Sequence, residues 1–220
     1  MPINDLVAGQ SQPPAPLVRT EPIQERSAAR IDALLDAAAA VVDEIGFDRL
    51  TTAMVADRAD ASIGTVYRYF PDRIVLLQAL RDRAVQRYRT TVVEAIQAGS
   101  PEHWWDATEL AIDSFVEMFR NEPGFRIIRF TDAERSPASP DSSVSGNSFA
   151  HRFAGILATE FGLPAGDELN FRLEVAVEVA DSLITRAFLV DPNGDEAFIG
   201  EARVVIREYL ARRYSDDATA

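Results

Sequence analysis

The chain has 220 residues, 47% of them hydrophobic and 26% charged, which is the balance of a globular protein with one large core or two small ones. There is no cysteine, and His103 and His151 are the only histidines, so disulfides, thiolate chemistry and cysteine nucleophiles are excluded and no cofactor or histidine-built metal site is expected. The net charge of −13 argues against a general nucleic-acid coat protein, and without an apolar run of about 18 residues or a leading secretory pattern no membrane role is expected and the default location is cytoplasmic.

The charge is unevenly spread. Residues 1–95 hold 11 Arg against 13 Asp and Glu, residues 96–220 hold 11 against 22, and the stretch 49–89 holds 8 Arg against 4 Asp. The one basic stretch therefore lies in the first half.

In chain order, residues 1–22 contain Pro2, Pro13, Pro14, Pro16 and Pro22 with no apolar periodicity, the pattern of a flexible arm. From about Gln24, Ile31, Leu34, Leu35, Ala38, Val41, Val42 and Ile45 recur at steps of three and four, one apolar stripe on a helix. Gly46 fits a left-handed helix end. Thr51-Thr52 opens a second helix to about Ala59, with Val55 and Ala56 inward. After the short break Asp60-Ala61, Ser62 caps a third helix from Ile63 to Tyr69, ending at Phe70-Pro71. Two short helices joined by a tight turn predict a helix-turn-helix. Asp72 caps a fourth helix carrying Leu76, Leu77, Leu80, Ala84, Tyr88 and Val92, stopped by Gly99-Ser100-Pro101.

The second half also reads as helices: Glu102–Arg120, Pro123 to about Ala133, Ser148–Phe161, Asp167–Val190 and Glu196–Tyr214, with a mobile loop expected at 134–147. The fold class is all-α, with no strand pattern and no internal repeat. Three segments follow: a flexible arm at 1–22, a helix-turn-helix domain at 23–71 and a larger helical domain at 72–220.

A recognition helix enters the DNA major groove N-terminus first, with small or polar residues near its start. Ser62-Ile63-Gly64-Thr65 has that character. Gly64 permits close backbone approach, and free N–H groups at a helix start favour phosphate. Tyr67 and Tyr69 place hydroxyls at the ends of rigid rings, where they can reach phosphates. Arg68 is able to reach a guanine edge or a phosphate. Phe70 should turn inward.

The strings AAAAVVDEIGFDRLTT, VADRADASIGTVYRYF and PDRIVLL carry a specific resemblance. The run Arg30–Leu77 resembles the N-terminal domain of TetR-type (tetracycline-repressor-like) regulators. The resemblance implies that Thr52 binds phosphate at the start of the second helix, that Thr65 lies near a base or phosphate, and that Tyr67 and Tyr69 grip the backbone. Arg73 stands where the family usually has a phosphate-binding lysine. Three residues depart from the pattern: Ile74 replaces an acidic or polar residue, Asp60-Ala61 replaces Gly-Val, and Ala53 has no group to bond a base. These departures bear on the operator sequence rather than on the fold.

The resemblance also implies a C-terminal half that binds a small ligand and forms a homodimer on a palindromic double-stranded DNA operator. Helices apolar over a wide arc need covering on several sides, and Leu183, Ala187, Phe198, Ala202, Val205, Ile206 and Tyr209 are the expected dimer residues. Trp105, Phe115, Met118, Phe119, Phe130, Phe149 and Phe153, together with Trp104 and Phe125, are the expected lining of a pocket for an apolar or aromatic effector. Asp113, Glu117, Glu174, Glu178 and Asp181 could meet a cationic group. The expected function is a repressor released from its operator by the effector. The alternative is a helix-turn-helix regulator with no small-molecule ligand, constitutive or controlled by a partner. No order of residues suggests an enzyme.

Overall fold

The computed structural model describes residues 2–7, 21–127 and 148–214. The loop expected at 134–147, residues 8–20 of the expected arm and the latter part of the helix expected from Pro123 lie outside the described residues. Eight α-helices and no strand occur among the described residues: α1 Glu21–Ile45, α2 Thr52–Arg58, α3 Ile63–Tyr69, α4 Arg73–Gly99, α5 Trp104–Asn121, α6 Phe149–Phe161, α7 Asp167–Val190 and α8 Glu196–Ala211. The all-α expectation is therefore met. Among the described residues no helix is long and apolar enough to cross a membrane.

The chain forms two compact units. The first comprises described residues 21–84 and 123–127; the second comprises 2–7, 85–122 and 148–214. The division falls inside α4 rather than at residue 71, so one continuous helix contributes its first turns to one unit and its last turns to the other.

In the first unit, the stripe read from the sequence is the buried face of α1: Leu34, Leu35, Ala38, Val41 and Val42. Val55 and Ala56 of α2, Val66 of α3, and Leu76, Leu77 and Leu80 of α4 complete this core. Phe70, directly after α3, turns inward as expected. Each such burial contributes about 1.5–3 kcal/mol for the larger side chains. Gly46 has positive φ, but with φ 84° and ψ 160° it lies in an extended region open essentially to glycine alone, not in the left-handed helical region expected. The bond from Arg58 of α2 to both carboxylate oxygens of Glu44 of α1, at 2.6 Å, raises the pKa of Arg58 and ties the two helices on the solvent side.

Two parts of this arrangement depart from the sequence expectation. Pro2–Leu6, within the expected flexible arm, forms a 3-10 turn whose Leu6 is fully buried in the second unit. The Gln86 amide holds the turn by donating to the Val7 carbonyl at 3.2 Å. An isolated leucine in a proline-rich stretch has no periodicity to announce this. The helix expected from Pro123 begins instead as a 3-10 turn, Phe125–Ile127, packed on α1. There Phe125 is buried in the first unit rather than lining a pocket in the second. A Cβ at Gly124 (φ 75°) would meet the Ala39 carbonyl oxygen at 3.1 Å, so only glycine lets the two backbones approach this closely.

The turn between α2 and α3 determines how α3 is presented. The Ala61 N–H donates to the Ala56 carbonyl at 2.9 Å and the Asp60 N–H to the Asp57 carbonyl at 3.3 Å, the paired bonds of a Schellman motif. Asp60 occupies its left-handed position with φ 46°, which an aspartate tolerates and most side chains do not. In the second unit, α5 buries Ala107, Ala111, Phe115 and Phe119 along one side, and α6 and α8 pack on α7. Ser148 caps α6 by accepting from the His151 N–H, and Asp195 caps α8.

From the turn we predict that Asp60→Gly leaves the protein at least as stable as the native chain, whereas Asp60→Val loses about 1–2 kcal/mol; urea unfolding of both variants checks this.

Candidate nucleic-acid interface

α3 has seven residues, so its outward and inward faces can be enumerated. Ser62, its N-cap, accepts a hydrogen bond from the Thr65 N–H at 3.1 Å and shares a second, at 2.9 Å, with the Thr65 hydroxyl. This satisfies one of the open N–H groups of the helix start. Val66 and Phe70 face the core, while Ile63, Gly64, Tyr67 and Arg68 are exposed and Thr65 and Tyr69 are half-buried. The expected recognition residues are thus brought together on one accessible surface.

A Cβ on Gly64 would meet nothing closer than the Ser62 hydroxyl, at 3.8 Å. Nothing inside the protein requires glycine there. Gly64 is the second residue of α3 and faces open space.

Tyr67 is 49% exposed, yet its hydroxyl is held. The Thr52 hydroxyl, largely buried at the start of α2, donates to it at 3.3 Å. The α2 cap is Thr51, whose side chain accepts from the Met54 N–H at 3.2 Å. Thr52 is therefore placed to aim Tyr67, whose ring leans out to solvent. Arg73 also has an internal partner: its guanidinium donates to the Phe47 carbonyl at 2.6 Å, pinning the start of α4 to the segment after α1. That bond engages the group that the resemblance assigns to phosphate.

On its other flank α3 borders a groove walled by Arg26, Ser27, Ala29, Arg30 and Ala33 of α1 and by Thr65, Arg68 and Tyr69 of α3. Sequence reading did not single out Arg26 or Arg30. The available signal was their spacing of four, one helical turn.

The second unit contains an apolar cavity lined by Tyr88, Thr108, Ala111, Ile112, Phe115, Phe149, Phe153, Leu173, Ala176, Val177, Ala180 and Ile206. Including its open mouth, the cavity has a volume of about 460 Å³. Its two lining hydroxyls are already used: Tyr88 donates to the Ala111 carbonyl at 3.1 Å and Thr108 to the Trp104 carbonyl at 2.8 Å. The walls are thus aromatic and aliphatic, with little polarity to offer a ligand.

Of the expected pocket residues, Phe115, Phe149 and Phe153 line this cavity, while Trp105, Met118 and Phe119 are buried elsewhere in the same core and Phe130 lies outside the described residues. Trp105 packs edge-on against Trp104 and beneath Arg207, and Phe119 stacks on Phe188. The acidic residues do not line the cavity. Asp113 pairs with Arg203 and Glu117 with Arg120, while Asp181 is fully buried apart from the lining.

The expected dimer residues divide. Ala187, Ala202 and Ile206 are buried within the single chain, because α7 and α8 pack on each other and Ile206 faces the cavity. They cannot meet a second copy without unpacking. Val205 is exposed; Leu183, Phe198 and Tyr209 are half-buried, the last two under Arg186 and Arg172 respectively. The apolar side chains that α7 and α8 expose are Phe171, Leu189, Val190, Val204 and Val205. The sequence pattern could not separate the face of α7 and α8 used by a neighbouring helix from the face left open.

Two substitutions separate folding from presentation on α3. Ser62→Ala should cost about 1 kcal/mol through loss of the cap. Gly64→Ala should leave stability unchanged or raise it by up to about 1 kcal/mol, because the added methyl meets open space. Chemical denaturation measures both.

Residues 34–80 match the family described as bacterial regulatory proteins, tetR family, and residues 102–214 match the tetracyclin repressor-like C-terminal domain. A crystal structure of a TetR-family transcriptional regulator from Streptomyces coelicolor is similar, with a TM-score of 0.72 and 37% identity over 84% of this chain and 99% of that one. The HTH-type transcriptional repressor KstR of Mycobacterium tuberculosis (strain ATCC 25618 / H37Rv) is 34% identical over 86 residues, and the match spans 39% of each protein. The structure of RolR in complex with resorcinol shares the fold, with a TM-score of 0.56 at 21% identity over 86% of this chain and 96% of that one. With both halves matched and a near-complete structural relative, the chain belongs to the tetR family of bacterial transcriptional regulators.

Proposed function

We propose that this protein is a homodimeric repressor that binds a palindromic DNA operator through α3 and releases it when a small apolar or aromatic molecule enters the cavity of the second unit. The observation that carries the reading is the division of α3. Val66 and Phe70 are locked inward, while Ile63, Gly64, Tyr67 and Arg68 stand outward on a capped helix start. A helix held this way is pre-organised for a groove, and little ordering cost remains at binding.

Two subunits present two recognition helices, matching half-sites one helical turn apart. The exposed apolar residues Leu189, Val190, Val204 and Val205 supply a surface for a second copy, which in the two-fold arrangement meets the same surface. KstR, which carries the name repressor, supports the sign of regulation. The protein acts in the cytoplasm, where its operator is, and has no catalytic task.

RolR is solved with resorcinol, and the cavity here has aromatic walls and internally bonded hydroxyls, suited to a small ring with few polar groups. Tyr88 lines the cavity and lies on α4, the helix that begins at Arg73 beside the Phe47 carbonyl. A ligand that prefers one position of α4 over another biases the spacing of the recognition helices. A ligand without such a preference shifts nothing.

Two measurements test this reading. In an anisotropy titration at fixed salt, Tyr67→Ala should weaken operator binding by about 1–3 kcal/mol, roughly 5- to 150-fold. Gly64→Ala should weaken it while the fold stays intact. Equal affinity of the native protein for operator and random duplex would overturn the DNA reading. Small monocyclic aromatics should raise the melting temperature and lower operator affinity, and Ala180→Phe, which fills the cavity, should remove both effects without loss of operator binding. A compound that binds the cavity and leaves operator affinity unchanged would count against effector control.

A further inference from the structure

We infer that Arg26 and Arg30 of α1 form, with Arg68 of α3, a second phosphate-binding surface that grips the DNA strand on the flank of α3 opposite Tyr67. This rests on the proposed binding of α3 in the major groove and extends it to α1, to which the helix-turn-helix reading gave no part in DNA binding.

Arg26 and Arg30 are one helical turn apart, so both project from the same face of α1. They and Arg68 wall the same groove, with Ser27, Ala29 and Ala33 as small neighbours and Tyr69 contributing a phenol. Among the described residues, no carboxylate lines the groove. Both α1 arginines are exposed, and neither is held in an ion pair with another described residue. In a chain of net charge −13, other arginines do pair with acids: Arg58 with Glu44, Arg83 with Asp36 and Arg120 with Glu117 and Glu196. Like charges at this spacing on a helix repel, and an anion shared among the three guanidinium groups relieves that repulsion. Guanidinium matches phosphate in a planar, bidentate way.

The geometry indicates which anion. The major groove is about 12 Å wide, so a helix lying in it has a phosphate backbone along each side. On α3, Thr65, Arg68 and Tyr69 recur at steps of three and four and face α1, whereas Tyr67 lies on the side of Thr52. One flank therefore offers a held phenol to one strand, and the other offers three arginines to the second strand. These contacts touch no base. They contribute affinity and register rather than sequence choice.

The test compares the native protein with Arg26→Gln, Arg30→Gln and the double variant. Affinity for operator and for random-sequence duplex is measured by anisotropy between 50 and 200 mM KCl, conditions over which phosphate contacts dominate the salt response. Each substitution should flatten the plot of log affinity against log salt by about 0.9, the release of one counterion per phosphate contact. Affinity for both duplexes should fall by the same factor, leaving their ratio unchanged, and the melting temperature should not move. A double variant with the native slope overturns the inference, as does one that loses the operator-to-random ratio at unchanged slope. If the native protein binds both duplexes equally but steeply with salt, and the double variant flattens that dependence, the phosphate surface stands and the operator reading falls. If the native protein binds neither duplex, both fall.

Discussion

A helix of seven residues does not hold its shape alone in water, because nucleation costs more than two turns of hydrogen bonds return. α3 exists because Val66 and Phe70 are taken into the core and Ser62 closes its first turn. That constraint has a consequence for function. The anchors lie on one side, so the other side is free of structural duty and its side chains can be chosen for what they meet outside. Gly64 is the clearest case: no atom within the protein needs the space that it leaves.

The surroundings of α3 serve the same end. The left-handed Asp60 fixes the angle of the turn, Thr52 steadies the Tyr67 hydroxyl, and Arg73 fastens the start of α4 to the Phe47 carbonyl. Thr52 and Arg73, which family resemblance assigns to phosphate, thus already have partners inside the protein. Positioning the outward residues is a role they perform in the free protein. In the second unit the two hydroxyls that line the cavity are likewise bonded internally, and this leaves an apolar hollow.

The parts of the structure legible in the sequence were those governed by short-range periodicity. The stripe on α1, the cap at Ser62 and the break at Asp60-Ala61 all follow from local rules. What was not legible depended on long-range packing. Leu6 is buried by a segment with no pattern of its own, and Phe125 joins the first unit although it follows α5 of the second. Ala187, Ala202 and Ile206 look like the open face of a helix pair until the pair is assembled, and then they are its inside. The aromatic residues of α5 are all buried, but periodicity cannot tell a residue that borders a void from one that fills it, and so Phe115 and Phe119 read alike. Arg26 and Arg30 gained meaning only from Arg68 across the groove.

In the proposed function the exposed face of α3 reads DNA as one of a two-fold pair. Selection of bound sequences from a random duplex library by the native protein tests it most directly. The expected outcome is enrichment of a pseudo-palindrome whose half-sites are centred about one helical turn, 10–10.5 base pairs, apart, and loss of that enrichment in Tyr67→Ala. A folded dimer that enriches no sequence, or a Tyr67→Ala variant that enriches the same sequence as well as the native chain does, would contradict it.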